Sequence, residues 1–215
     1  MAVPDPVPPF SLAGRHVRMT PLEAGDVDAL LEAVTEDRST YDFAALPWDR
    51  PTMEAYVHRA LEQRAAGAHY PFVTWSIDAA QVVGSTRFYD LTRWDWEGVY
   101  PGSERQRRPG AIDAVNIGYT WLRPSAQRTP VNSEAKLLML THAFECWGTR
   151  AVRLKTDARN ERSRAAIVRL GCTLDGVLRS ERPAPDGTVR DSAYFSMLAS
   201  EWPPNRARLR ARLGW

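Results

Sequence analysis

Between Asn116 and Lys136 the sequence NIGYTWLRPSAQRTPVNSEAK runs from an alternating stretch, through a turn and a polar loop, into a helical pattern. A strand that feeds a helix N-terminus points several backbone N–H groups and the positive end of a helix dipole at one place. The chemistry suited to that junction is the binding of a phosphate or another anion. Other chemistries find less support. His16, His58, His69 and His142 share no metal-ligand spacing, and His142 falls within a helical pattern, so no metal site is expected. GSTR and GYTW contain no nucleophile elbow, which leaves a covalent serine mechanism without support. Cys146 and Cys172 are too few and too far apart for a disulfide framework or a zinc cluster. Cys146, in an apolar helical run, reads as a buried and inert thiol.

The elements that must hold this junction follow from periodicity. Residues 1–14, with Pro4, Pro6, Pro8 and Pro9, read as an extended lead-in. His16 to Thr20 alternates as a first strand, and Val27, Leu30, Leu31 and Val34 recur at helical spacing after Asp26. YDFAALPW, Tyr41 to Trp48, is an aromatic loop, and Thr52 precedes a second helix faced by Met53, Tyr56, Val57, Ala60 and Leu61 that stops at Gly67. Tyr70–Ile77 and Gln81–Tyr89 form a hairpin across residues 78–80. Residues 91–112, rich in charge, Gly, Pro and Trp, read as a long inserted loop, either a lid or a solvated extension. Ala114–Trp121 is the strand of the junction, and Pro130 or Ser133 opens its helix. Ala151–Lys155 is a short strand, Asn160 caps a helix through Leu170, and Gly171 sits where a left-handed C-cap belongs. Cys172–Leu178 and Arg190–Leu198 pair across Asp186-Gly187, and Glu201–Leu213 is a final helix.

That order gives an α+β chain whose sheet mixes antiparallel runs with one strand–helix–strand crossover. A single domain over residues 15–200, with residues 201–215 as an added helix, is the expected organisation. With 215 residues, 44% hydrophobic and 25% charged, the composition is that of an ordinary globular protein. No apolar run approaches the roughly 20 residues of a membrane span, and the N-terminus lacks the order of a signal peptide, so a cytoplasmic protein without a membrane partner is expected. The net charge of +2 is too small to argue for nucleic acid. The arginines of the last helix fall at every second position and spread around it. A homodimer is left open.

Five linked pieces of the second half carry a resemblance: IGYTWL, SEAK with HAFE, KTDARNERSRAAIVRLGC, DGVLR, and DGTVRDSAYFSML. Together they resemble the GNAT superfamily of acetyl-CoA-dependent N-acetyltransferases, closest to its ribosomal-protein N-terminal acetyltransferase (RimJ/RimL-like) branch. GRHVRMTPLEAGDVDALLEAV and GSTRFYD match its opening elements more loosely. The resemblance implies a GNAT fold: a central, mixed, mostly antiparallel sheet of about seven strands flanked by helices, with two parallel central strands splayed apart. It implies that the acyl donor's pantetheine arm lies in the gap, along Trp121, Leu122 and Arg123, with the pyrophosphate on the loop Arg128, Thr129, Val131, Asn132 and Ser133. Asn160 and Ser163 would flank the same arm. The chain departs from the family where two glycines are usual, since Arg128 and Pro130 stand there, and proline has no N–H to offer.

Acetyl transfer to an amine needs a neutral nitrogen, a polarised thioester and a proton for the leaving thiolate. The resemblance places Asn116 where many relatives carry a glutamate, and an amide takes no proton at neutral pH. Glu181 lies near where some relatives carry an acidic residue, with Asp113 and Asp191 as weaker alternatives. Ile167 stands in place of a thiol-protonating tyrosine, which passes that role to Ser163. The catalytic set is therefore Glu181, Ser163 and Asn116, and Tyr41, Phe43, Trp48, Trp94 and Trp96 are expected to line the acceptor pocket. The expected activity is direct transfer from acetyl-CoA to a primary amine such as a protein N-terminus. The alternatives are a small amine (an antibiotic or a polyamine) or a CoA-binding protein without turnover.

Overall fold

A computed structural model describes residues 7–95 and 112–215. Its strands are β1 (Leu12–Ala13), β2 (Val17–Pro21), β3 (His69–Ser76), β4 (Gln81–Thr92), β5 (Ala114–Leu122), β6 (Ala151–Asp157), β7 (Thr173–Pro183) and β8 (Val189–Leu198). The helices are α1 (Val27–Thr35), α2 (Arg50–Ala65), α3 (Pro130–Thr141), α4 (Glu161–Leu170) and α5 (Trp202–Arg212). The strands form one eight-stranded sheet in the order β1-β2-β3-β4-β5-β6-β8-β7. All neighbours run antiparallel except β5 and β6, which are parallel. The sheet has one strand more than the roughly seven expected, and the two-residue β1 is too short to leave a periodic signal.

Two apolar layers cover the sheet. One joins Val17, Phe72, Phe88, Ile117, Leu140 and Phe195 with α3 and with Trp202 and Leu209 of α5, so the terminal helix is packed into the core. The other joins Leu30, Val34, Met53 and Val57 of α1 and α2 with Val73, Val82 and Trp121 of the sheet. Phe10 of the proline-rich lead-in packs on the first layer, its ring stacked 4.0 Å from that of His142. Cys146 corrects the sequence reading: it is exposed, and Cys172 is the buried thiol. After Thr141 the helix continues as a π-helical turn, His142–Cys146. The wider turn breaks the 3.6-residue register on which the expected burial of Cys146 rested.

Sequence signals account for the helix ends. Asp49 and Thr52 form a reciprocal cap on α2, Thr129 caps α3 with Pro130 at its first position, and Gly171 ends α4 at φ +99°. A long-range tie fixes α3 against the sheet. The fully buried Glu134 carboxylate accepts the N–H of Arg15 at 2.9 Å and those of His16 and Val17 at 2.7 Å each. Gly14 admits that carboxylate, since a Cβ there would lie 2.4 Å from Glu134 Cδ.

Candidate active site

The site begins where β5 and β6 part. They pair only at Ala114–Ala151, Val115–Val152 and Asn116–Arg153. Beyond that, β6 pairs with β8 alone, and the edge of β5 from Ile117 to Leu122 faces a gap. The Arg123 N–H goes to Val83 O of β4 at 2.7 Å. By antiparallel alternation, Leu122 and Thr120 turn their backbone groups to the gap. An unpaired strand edge is a ready partner for an extended, amide-bearing ligand. Opposite the gap, the register of β4 and β5 slips between Ser85 and Arg87. Tyr119 sits in that bulge at φ +51°, a strained conformation of the kind that gathers at functional sites.

At the far end of β5, Leu122 O accepts from Tyr41 Oη and from Gln127 Nε2, each at 3.0 Å. The Arg123 side chain is engaged too, with Nε 2.8 Å from Glu36 Oε1. Of Trp121, Leu122 and Arg123, only Leu122 thus turns backbone groups to the gap. The loop that follows supports an anion more directly. Arg128 adopts φ +61°, the left-handed conformation a glycine would take without cost, so the glycine-type turn survives with a guanidinium on it. Thr129 Oγ1 donates to Ala126 O at 2.7 Å and caps the Val131 N–H. In the first turn of α3 the Asn132 amide has no intrahelical acceptor, the first i→i−4 bond running from the Ser133 N–H to Thr129 O, and Asn132 Oδ1 is buried without a partner. An open strand edge, a free helix-start amide and an arginine fit the CoA that the resemblance implies.

The N-terminus of α4 closes the other side. Asn160 Oδ1 accepts the Ser163 N–H at 3.0 Å, which spends that oxygen as a helix cap. Arg162 donates to Thr40 O at 2.6 Å, and the Arg159 guanidinium lies 5.4 Å from the Phe43 ring centre. The loop between α1 and α2 is thereby drawn onto α4.

On the α1/α2 side the gap opens into a polar cleft. Glu181 Oε1 lies 2.7 Å from Lys155 Nζ and 2.6 Å from Tyr194 Oη, and Oε2 accepts from Ser192 Oγ. Burial would raise its pKa, but these donors outweigh burial and hold it down at about 2. Held so firmly as an anion, Glu181 anchors Lys155 and Tyr194 better than it accepts protons. A second carboxylate, absent from the sequence-derived site, stands nearer Asn116. Asp90, at φ +50° in a β4 irregularity, accepts from Asn116 Nδ2 at 2.8 Å and is exposed. Tyr89 ties the two sides together: burial first, then the nearby Asp90, Tyr119, Tyr194 and Glu181, push its phenol upward. His69 is held neutral, its pKa pushed to about 4 by burial and by Arg87. Arg87 itself is buried against the rings of Tyr119 and Tyr56, 4.1 and 5.2 Å away.

The expected aromatic pocket is divided. Tyr41 and Phe43 lie by the gap, Trp48 is 63% exposed at the start of α2, and Trp96 lies outside the described residues. Trp94 N–H bonds Asp113 Oδ2, just before β5, whereas Tyr41 bonds its last residue. These ends are separated by roughly 30 Å of extended strand, so the structure does not bring the two together. Asp113 is buried at that far end, and Asp191 Oδ1 caps the Ser180 N–H. Among the described residues no metal-binding cluster of His, Cys, Asp or Glu occurs, and no helix is long and apolar enough to cross a membrane.

Comparisons with known proteins agree with this geometry. The family model described as an acetyltransferase (GNAT) domain matches residues 16–173. A presumed acetyltransferase from T. thermophilus superposes with a TM-score of 0.76 at 30% identity, covering 96% of this chain and 98% of that one. A GCN5-related N-acetyltransferase from Brucella melitensis gives a TM-score of 0.76 at 26% identity, over 96% and 86% of the two chains. Mycobacterium smegmatis RimJ, solved in complex with CoA-disulfide, shares the fold with a TM-score of 0.76 at 17% identity, over 96% and 95%. No curated protein matches the chain.

Proposed function

The chain belongs to the GNAT family of acetyltransferases, and on that premise we propose that it moves acetyl from acetyl-CoA directly to the primary amine of a protein N-terminus. The observation that carries this reading is the unpaired edge of β5 leading into the Asp90–Asn116 cleft. Acetyl-CoA, when bound, supplies an activated acyl group as a thioester and a thiol as leaving group. The open edge at Thr120 and Leu122 would hold its arm. Arg128 and the amides of Thr129 and Asn132 would hold its phosphates, with Asn160 and Ser163 on the opposite wall; the Val131 and Ser133 amides are taken by the Thr129 cap and the first helical bond. Backbone amides at the Tyr119 bulge are the donors best placed to steady charge on a reacting carbonyl oxygen.

Asp90 is the group assigned to take the amine's proton, either itself or through water, with Asn116 fixing its orientation. A carboxylate is a weak base, which favours an acceptor that is already partly neutral. An α-amino group titrates near about 7.8 and a side-chain or polyamine nitrogen near about 10.4, so only the former offers a substantial neutral fraction near pH 7.5. The other cleft carboxylates are matched by cations: Glu181 by Lys155 and Asp157 by Arg159. Among the described residues that leaves no acidic well for a polycation.

Thiol release from acetyl-CoA, measured against N-terminal peptides, polyamines and aminoglycosides, tests the reading. Acetylation of the peptide α-amine is expected. Turnover on the small amines alone would replace the acceptor, and CoA binding without turnover on any acceptor would favour a binding protein.

A further inference from the structure

Lys136 lies in the second turn of α3, fully buried. Its Nζ donates to Thr86 Oγ1 of β4 at 2.8 Å and to Thr120 Oγ1 of β5 at 2.7 Å. No carboxylate among the described residues pairs with it. Glu134 on the same helix is committed to the amides of Arg15, His16 and Val17. From the other packed elements, β2 presents Val17 and Met19, and α5 presents Trp202 and Leu209. Burial alone therefore acts on the amine and pushes its pKa down to about 7. A bare buried amine is costly for stability, and its hydroxyl partners lead straight to the gap.

Donor counting leaves the arrangement two directions. A lysine ammonium donates and never accepts, so both threonine oxygens are acceptors toward it. The two hydroxyls also lie 2.8 Å apart. Either can donate to the other. With Thr120 as donor, the Thr86 hydrogen is left with Gly118 O at 3.4 Å or Met139 Sδ at 3.8 Å. With Thr86 as donor, the Thr120 oxygen accepts twice and its own hydrogen must point elsewhere. The nearest protein acceptor left to it is Gly118 O, at a long 3.5 Å. Thr120 is exposed and lies beside the bulge, on the stretch of β5 that lacks a β6 partner. A neutral lysine has a lone pair, can accept from either hydroxyl, and so releases this polarity.

We propose that Lys136 is a positioning residue which, through Thr86 and Thr120, aims the Thr120 hydroxyl as a donor into the open edge of β5 to hold a carbonyl oxygen of the acyl donor's arm. The proposal rests on the reading of that edge as the CoA seat. It links binding to a proton: a bound carbonyl favours the ammonium and its outward-pointing Thr120.

The chain has two lysines, Lys136 and Lys155, so 13C,15N-lysine labelling gives two side-chain signals, which Lys136→Met and Lys155→Met assign. Titration of the whole protein with and without CoA is expected to show the Lys136 pKa rising by a unit or more on binding. In Thr120→Val the CoA-induced rise should vanish, and CoA affinity at pH 6.5 should fall roughly three- to tenfold, the worth of one hydrogen bond. Should Lys136→Met fail to fold, Lys155→Met and Thr120→Val suffice for the assignment and the test. CoA binding with an unmoved Lys136 titration, or with the same movement in Thr120→Val, overturns the proposal while sparing the CoA reading. Absence of CoA binding to the wild type overturns both.

Discussion

Asp90 and Glu181 are both carboxylates of one cleft, and their surroundings give them different work. Glu181 holds Lys155, Ser192 and Tyr194, whereas Asp90 meets a single amide donor, Asn116. Asp90→Asn is expected to lower kcat/KM about 100-fold or more, the range for loss of a general base, with the thermal midpoint unchanged. An unaltered rate would return the proton transfer to Glu181 or to water. Glu181→Gln should instead show itself in stability. Its folded pKa of about 2 lies below the ordinary 4.5, so its stabilisation is complete above the ordinary value and fades as pH falls toward the folded one. The variant should lose about 2 kcal/mol at neutral pH, and its denaturant midpoint should respond less to acid between about pH 5 and 2. The sequence pointed to Glu181 only by resemblance, through its place after DGVLR, and as a catalytic group rather than an anchor. Asp90 was not legible, because its approach to Asn116 depends on a backbone irregularity across two strands 26 residues apart, and neither residue signals it locally.

At the scale of elements, the helices were legible because their end signals are local: Asn160 and Gly171 act within a few residues. Thr52, expected to precede the second helix, lies inside it, and the caps are Asp49 there and Thr129 on α3. The splay of β5 and β6 was legible only through resemblance, since no local pattern says where two parallel strands stop pairing. Arg128 shows how a departure in sequence can leave an element intact. Its φ of +61° is the turn a glycine would make, and a side chain there costs about 1 kcal/mol. Arg128→Gly is therefore expected to keep or slightly raise stability while KM for acetyl-CoA rises several-fold, because a phosphate loses its guanidinium. A fall in stability with unchanged KM would show that Arg128 serves the loop alone. Gly14 makes the complementary case. A methyl at 2.4 Å from Glu134 Cδ would push the carboxylate off the amides of Arg15, His16 and Val17. Gly14→Ala should cost about 2 to 3 kcal/mol, since a buried charge loses its donors, and chemical unfolding would read it directly.

For the molecule as a whole, the α+β class and the chain order of the main strands were legible in the periodicities. The buried polar chemistry between the layers was not. In the sequence Lys136 is only the end of the SEAK helix opening, and nothing around it announces Thr86 and Thr120. Yet this one amine shapes the pH response of the entire fold. In the unfolded chain it titrates near 10.5 and in the folded protein near 7, so between those values the unfolded state binds more protons. Stability must then rise with pH across that window, opposite to the effect of a lysine that gains an anion. Below about pH 7 both states are protonated and the full penalty of a buried ammonium is present; above it the folded amine sheds its proton and the penalty declines. From pH 7 to 9 the wild type should gain roughly 2 kcal/mol relative to Lys136→Met, from about 1.4 kcal/mol per unit of pKa difference titrated. Urea unfolding of the two proteins at pH 7, 8 and 9 measures it. Parallel curves would mean that the amine keeps its charge in the folded state, and its two threonines would then have to stabilise a permanent ammonium.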